Sequence, residues 1–397
     1  MKEGWEYIDF KDVFPIKMGK TPPRGDKSSW DEKKETHNKW VSIADISNNE
    51  GKIIEDTKEY ISDSAAEKIS KVSKGSLLMS FKLSIGRMAF AGDDLYTNEA
   101  IIAIPENDKY ILRFIYYYLL SYDWLSLTEG NEKVKGATLN KTSIGKIQLP
   151  VLSIIEQQSI VDYLDSAFAK IDAMKANAEK RLNESKALFQ ASLKEMLEPK
   201  EGWEEKKLKE VVISITDGDH QPPPKSNDGI PFITISNIEK NSNKIVFKDT
   251  FYVPQSYFNA LKKDRIPQNG DVLYTVTGSF GIPVLIDFQR DFCFQRHIAL
   301  IRPNIRFLSP TYLFYWILSS YATSQAEDTA TGAAQRTVSL NSLRNFTIHV
   351  PSLSDQQYIV ATLDSLKSKV DRLQENYNKI SQECDALKQA ILRQVFE

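Results

Sequence analysis

Only 2 cysteines occur in the 397 residues, Cys293 and Cys384, and they lie far apart. A disulfide scaffold is thereby excluded, and a reduced, cytoplasmic protein is expected. Long uncharged apolar runs are missing too: no window reaches the roughly 18 residues that a membrane span needs. The nearest candidate, Tyr110 to Leu127, carries Arg113 and Asp123 and reads as a core-facing helix. The opening Met1-Lys2-Glu3-Gly4-Trp5 has no apolar signal core. Neither sign of charge dominates. With 51 Lys and Arg against 53 Asp and Glu the formal charge is −2, which excludes a wholesale polyanion coat but leaves room for local basic patches.

Catalytic motifs are also missing. There is no Gly-x4-Gly-Lys-Ser/Thr, no Gly-x-Gly-x-x-Gly, no Cys-x-x-Cys and no Asn-Pro-Pro-aromatic sequence. The histidines, His37, His220, His297 and His349, are scattered, and no two share a metal-ligand spacing on one expected element, so no metal site is expected. His220 stands beside Asp217 and Asp219, in a stretch better read as a polar loop. Binding is favoured over catalysis.

What is present is a tandem repeat with a period near 200 residues. Gly4-Trp5-Glu6 recurs as Gly202-Trp203-Glu204, and the strand-like Trp40 to Ile46 is echoed by Phe232 to Ile238. Lys74-Gly75-Ser76-Leu77-Leu78 matches Asn269-Gly270-Asp271-Val272-Leu273, and Ser84-Ile85-Gly86 matches Ser279-Phe280-Gly281. The aromatic stretch Leu112 to Ser121 is paired with Tyr312 to Tyr321, and Leu149-Pro150 with Val350-Pro351. Trp40, Tyr117, Trp124, Phe232 and Trp316 lie on periodic apolar segments and are expected in the cores.

After each proline comes Glu156-Gln157-Gln158 or Asp355-Gln356-Gln357, acidic as a first helical turn prefers. No Gly or Pro then interrupts 156–198 or 355–397, so each is expected to form a rod of 43 residues, roughly 64 Å long. In the second rod Leu363, Leu366, Val370, Leu373, Tyr377, Ile380, Cys384, Leu387 and Ile391 make a coiled-coil seam. In the first, Leu164, Phe168, Ile171, Met174, Ala178, Leu182, Leu188, Phe189 and Met196 make a wider stripe. Connectivity requires paired rods to be antiparallel. The expected fold is α+β: two similar mixed α/β domains, 1–150 and 202–350, joined by helical spacers 151–201 and 351–397, related by a pseudo-two-fold axis.

A strand, Pro-x-Leu-x-Asp/Glu-Gln-Gln-x-Ile-Val and a long helix, twice behind two variable domains, resembles the specificity subunit of type I restriction-modification systems across the whole chain. The tail Pro351 to Gln357 follows the pattern with Asp355 in place of the usual glutamate, whereas Pro150 to Glu156 has two extra residues. The resemblance implies a non-catalytic DNA-binding subunit whose two domains each read half of a bipartite target, with the rods setting the unread spacer. Half-site centres about 34 Å apart, one turn of DNA, suit rods of about 64 Å. It further implies docking of methyltransferase subunits, with two expected, and of a motor-nuclease subunit. S-adenosylmethionine, ATP and Mg would then belong to those partners, with no cofactor in this chain.

Base reading requires Arg, Lys, Asn, Gln and hydroxyls on loops of a rigid scaffold. In the first repeat the expected DNA-binding residues are Lys17, Lys20, Thr21, Arg24 and Lys27, then Ser80, Lys82 and Arg87, and Lys133, Lys135 and Thr138. In the second they are Asp219, His220, Gln221 and Lys225, then Thr277 and Ser279, Gln295, Arg296 and His297, and Gln335, Arg336 and Thr337. Glu156, Gln157, Asp355 and Gln356 are expected on the partner-docking helices. Two other classes fit less well: a coiled-coil scaffold or adaptor, which would show no sequence-specific DNA retention, and a self-contained nuclease or methyltransferase, which the missing motifs disfavour.

Overall fold

A computed structural model of the chain describes residues 2–127, 135–332 and 336–397. It divides into two compact units, Met1–Ala176 with Ile380–Glu397, and Asn177–Lys379.

In the first unit a five-stranded sheet runs in the order Lys17–Met18, Ile101–Ile104, Leu77–Ser80, Met88–Ala91, Ile53–Ile54. Successive side chains of a strand point to opposite faces. Leu77 and Met79 therefore enter a core with Phe114 and Ile115, while Leu78 joins Val41, Ile46 and Leu95 on the other face. Both faces are covered, which is why this central strand is buried throughout and apolar but for Ser80. A three-stranded sheet, Glu59–Tyr60, Lys39–Val41 and Tyr96–Thr97, lies beside it in sequence, its last pair parallel. The aromatic stretch forms helix α1, Leu112–Ser121, with Phe114, Ile115 and Leu119 wholly buried.

The second unit follows the same plan. Its main sheet runs Val212–Asp217, Ile298–Pro303, Val272–Thr275, Pro283–Leu285, and its three-stranded sheet Phe251–Val253, Ile230–Ile233, Cys293–Phe294. Val272, Tyr274 and Ile301 face the aromatic helix, while Leu273, Val284 and Leu300 face a smaller core.

The two rods are helix α2, Ile154–Met196, of 43 residues, and, with α3 at Pro310–Leu318 between them, helix α4, Leu353–Phe396, of 44. Both begin two residues earlier than expected. Ser153 and Ser352 cap them: the Glu156 N–H donates to Ser153 Oγ at 3.3 Å and the Asp355 N–H to Ser352 Oγ at 3.1 Å, and each acidic side chain accepts from its serine hydroxyl. Within each unit the rod segments lie antiparallel. In the first, Asp172 meets Lys388 and Lys175 meets Asp385; in the second, Lys186 donates to Gln374, and Phe189 and Leu193 share a core with Leu363, Leu366 and Val370.

Three seam assignments are corrected. Met174, Leu188 and Leu387 are 59%, 58% and 47% exposed. From Cys384 the α4 seam steps by four to Lys388, whose ammonium lies over the Phe168 ring, then to Ile391, Leu392 and Val395, so Leu387 falls outside it. On α2, buried Val161 and Leu193 take the seam positions instead.

The repeat register is corrected as well. Glu6 pairs with Val151 and Glu204 with Val350, so Val151 matches Val350, and Leu152, not Pro150, stands where Pro351 does. The two extra residues vanish once the capping serines are matched. Likewise the Ile111 N–H donates to Gln157 and the Ser309 N–H to Gln356, which places Leu112 opposite Pro310 rather than Tyr312.

Candidate nucleic-acid interface

In each unit the chain brings three separate loops together at one end of the main sheet's central strands. In the first, the Lys20 N–H donates to the Thr97 carbonyl (2.8 Å), the Phe81 N–H to Ala100 (3.0 Å) and the Leu139 N–H to Phe81 (2.9 Å). The strand Lys82–Ser84 pairs with Lys135–Thr138. In the second unit the same ladder recurs: Asp219 bridges Gln295, the Val276 N–H donates to His297 (2.9 Å), the Val338 N–H to Val276 (2.8 Å), and Thr277 bridges Thr337. A glycine makes each first contact possible, because a Cβ at Gly19 would collide with the Thr97 carbonyl oxygen and one at Gly218 with that of Phe294.

The side chains on this common backbone differ. In the first unit Lys20, Lys27 and Lys82 are cations without an ion-pair partner among the described residues, and Thr21 donates to Glu99. That hydroxyl holds the Glu99 carboxyl below its usual range, against a smaller opposing effect of burial. Arg24 is engaged internally, ion-paired with Glu59 and lying 4.2 Å from the Trp30 ring centroid and 4.9 Å from that of Trp40. Arg87 is paired with Glu50. Lys17 lies apart from the cluster, opposite Ala103 in the sheet and beside Ser70 and Lys71.

In the second unit Arg296 is exposed with its Nε 3.3 Å from His297, and burial, then Arg296, lowers the His297 pKa, favouring the neutral ring. Arg336 donates to the Glu327 carbonyl (2.6 Å) and lies over Phe280. His220 Nε2 is 2.9 Å from Asp217, which also meets Arg265, whereas Asp219 accepts from the Tyr257 hydroxyl at 3.1 Å. These carboxylates are directed to different partners. Among the described residues no His, Cys, Asp and Glu group converges as a metal site. Gln221, Lys225 and Ser279 are exposed, with Lys225 over the Phe251 ring.

Four expected residues are corrected. Ser80 is wholly buried and its hydroxyl donates to the Ser84 carbonyl, turning the hairpin from within. Thr277 is 7% exposed and its hydroxyl oxygen is 3.4 Å from that of Thr337. Gln157 and Gln356 are wholly buried, so neither faces a docking partner. Gln157 accepts from the Ile111 N–H (2.9 Å) and donates to the Lys109 (2.8 Å) and Leu152 (3.0 Å) carbonyls; Gln356 accepts from Ser309 and donates to Phe307 and Pro351 at 2.8, 2.8 and 3.0 Å. Glu156 and Asp355 remain exposed as helix caps. Lys133 and Gln335 lie outside the described residues.

Two residues in the cluster escaped the sequence reading. Glu99 is one, although Asn98-Glu99-Ala100 aligns with Gln295-Arg296-His297. The other is Leu83, 60% exposed at the hairpin tip with φ 64° where the second unit has Gly278 at φ 70°. A left-handed, solvent-facing leucine is a feature that periodicity does not reveal.

The family model for the type I restriction modification DNA specificity domain matches residues 2–184 and again 200–382. The EcoBI specificity subunit of Escherichia coli is 24% identical over 320 residues, 73% of this chain and 66% of that subunit, so the chain spans just under two thirds of that relative. A putative type I restriction enzyme specificity subunit, S.HindORF215P of Haemophilus influenzae, is 24% identical over 292 residues, 70% of each chain. Among solved structures, one from work on complex assembly and conformational transition of the type I R-M system aligns with TM-score 0.75 at 18% identity, covering 100% of this chain and 98% of that one. The HsdS subunit from Thermoanaerobacter tengcongensis aligns with TM-score 0.55 at 18% identity, covering 100% and 97%. At that identity the likeness is one of fold.

Proposed function

Because the chain belongs to the type I restriction-modification DNA specificity domain family, we propose that it is the sequence-reading subunit of such a system, each unit's loop cluster reading one half of a split double-stranded DNA target. The observation that carries this is the pair of loop clusters: one hydrogen-bonded backbone, built twice, presenting two different sets of side chains. A shared scaffold with unlike rims is what two readers of unlike half-sites require.

The rods then serve as spacer and docking platform. Methyltransferase subunits, two of them, would dock at the rod starts, where Ile155 and Tyr163 on α2 are 79% and 52% exposed and Leu353 and Tyr358 on α4 are 43% and 67%. Grouped exposed apolar side chains are a feature of interfaces, and these lie in the first turns of each rod, as do the exposed Glu156 and Asp355. A motor-nuclease subunit would complete the restriction assembly. In this reading the chain is not an enzyme: adenine methylation with S-adenosylmethionine, and ATP- and Mg-dependent translocation and cleavage, reside in the partners.

The test is to co-express the chain with the modification subunit of its own system and map methylated adenines in the host genome. A motif of two short defined halves with a fixed gap is expected. A stable complex that methylates nothing, or methylates without sequence preference, would leave a scaffold as the better reading.

A further inference from the structure

Resting on that reading, one position separates the two clusters by sign of charge. The Ile101 N–H donates to Asn98 and the Phe81 N–H to Ala100, just as the Ile298 N–H donates to Gln295 and the Val276 N–H to His297. Glu99 and Arg296 therefore occupy the same backbone site in the two units. Both are exposed, each between the first loop of its cluster and the hairpin. Thr21 fixes the Glu99 carboxylate from the first loop, and Lys82 of the hairpin is close enough to act on its charge.

A carboxylate beside DNA is repelled by phosphates and accepts only from donors, and in the major groove those are the exocyclic amino groups of cytosine and adenine. A guanidinium in the same place meets the opposite pattern, the O6 and N7 acceptors of guanine. We propose that Glu99 and Arg296 are paired specificity-determining residues: Glu99 accepts from a base amino group, with cytosine the leading candidate, in the first unit's half-site, and Arg296 donates to guanine in the second's.

Two consequences have opposite signs. Glu99→Gln removes an anion and supplies a donor, so it should loosen discrimination at one base pair of one half-site, on the order of tenfold, while tightening retention on unrelated DNA. Arg296→Gln should loosen one base pair of the other half-site by a similar factor and weaken retention on unrelated DNA. Glu99→Gln also separates base reading from mere loop positioning, because its amide oxygen can still accept from the Thr21 hydroxyl.

The experiment maps methylated motifs for the co-expressed complexes of wild type, E99Q and R296Q, with filter retention of unrelated duplex DNA alongside and thermal melting to check folding. Support is one relaxed base pair per variant, in different halves for E99Q and R296Q, with retention moving in opposite directions; the relaxed pair in E99Q identifies cytosine or adenine. An unchanged E99Q or R296Q motif, or relaxation in both halves by either variant, would overturn the proposal. A wild-type complex with no split motif would instead overturn the reading it rests on.

Discussion

Gln157 and Gln356 make the same hydrogen bonds in their two units, while Glu99 and Arg296, just as closely matched in backbone, carry opposite charge. The first pair lies where a rod enters its unit, the second where three loops converge at the ends of the central strands. Sameness is concentrated in buried polar groups that a single change would leave unsatisfied. Difference is concentrated in exposed side chains whose replacement costs the fold little. The repeat is thus rigid where geometry must be shared and free where chemistry must differ.

The comparison breaks first at the glutamines. Gln157→Ala and Gln356→Ala should each cost about 3 kcal/mol, because a buried N–H and two carbonyls lose their partner. Chemical denaturation of the two variants reads this, and a silent change in one unit would show that the rod entries are not equivalent.

A smaller, unequal effect is expected at the hydroxyls of the aromatic helices. Tyr315 donates to Asp364 at 2.6 Å, and Tyr117 donates to Asp165 and accepts from Arg113 at 3.0 Å, with Arg113 also paired directly to Asp165. Tyr315→Phe should therefore cost about 2 kcal/mol, and Tyr117→Phe about half of that, since Asp165 keeps Arg113. Equal losses in the denaturation midpoints would show that Arg113 contributes nothing there.

Least is expected at the hairpin tips. Leu83→Gly should stabilise the first unit by up to about 1 kcal/mol by relieving its left-handed backbone, and Gly278→Ala should destabilise the second by a similar amount. Destabilisation by Leu83→Gly would mean that the exposed leucine packs in solution.

The repeat, the two rods and the cores around Trp40, Tyr117 and Trp316 were legible because each follows a period or a recurring motif. Register was not, for a physical reason. Matching Pro150 to Pro351 aligns a proline inside one strand with a proline just past the other, whereas Ser153 and Ser352 start the helices, and the Ser-x-x-Glu and Ser-x-x-Asp spacing was the better signal. Gln157 and Gln356 looked like surface residues because glutamine on a helix end usually is; only their recurrence in both repeats hinted at a buried role. In the loops, residue type located the cluster but did not say which groups were already engaged. Ser80 is buried with its hydroxyl on the Ser84 carbonyl, Arg24 is already paired with Glu59, and the acidic Glu99 went unsought in a surface expected to be basic.

The most direct test of the central claim, two independent readers on one scaffold, is to exchange residues 2–152 for those of a relative with a different motif and map the methylated adenines of the co-expressed complex. The cut falls after the strand Gln148–Val151 and before the Ser153 cap, so the α2 entry is preserved. The account predicts a new sequence in one half of the motif, with the other half and the gap unchanged. A motif altered in both halves would contradict it.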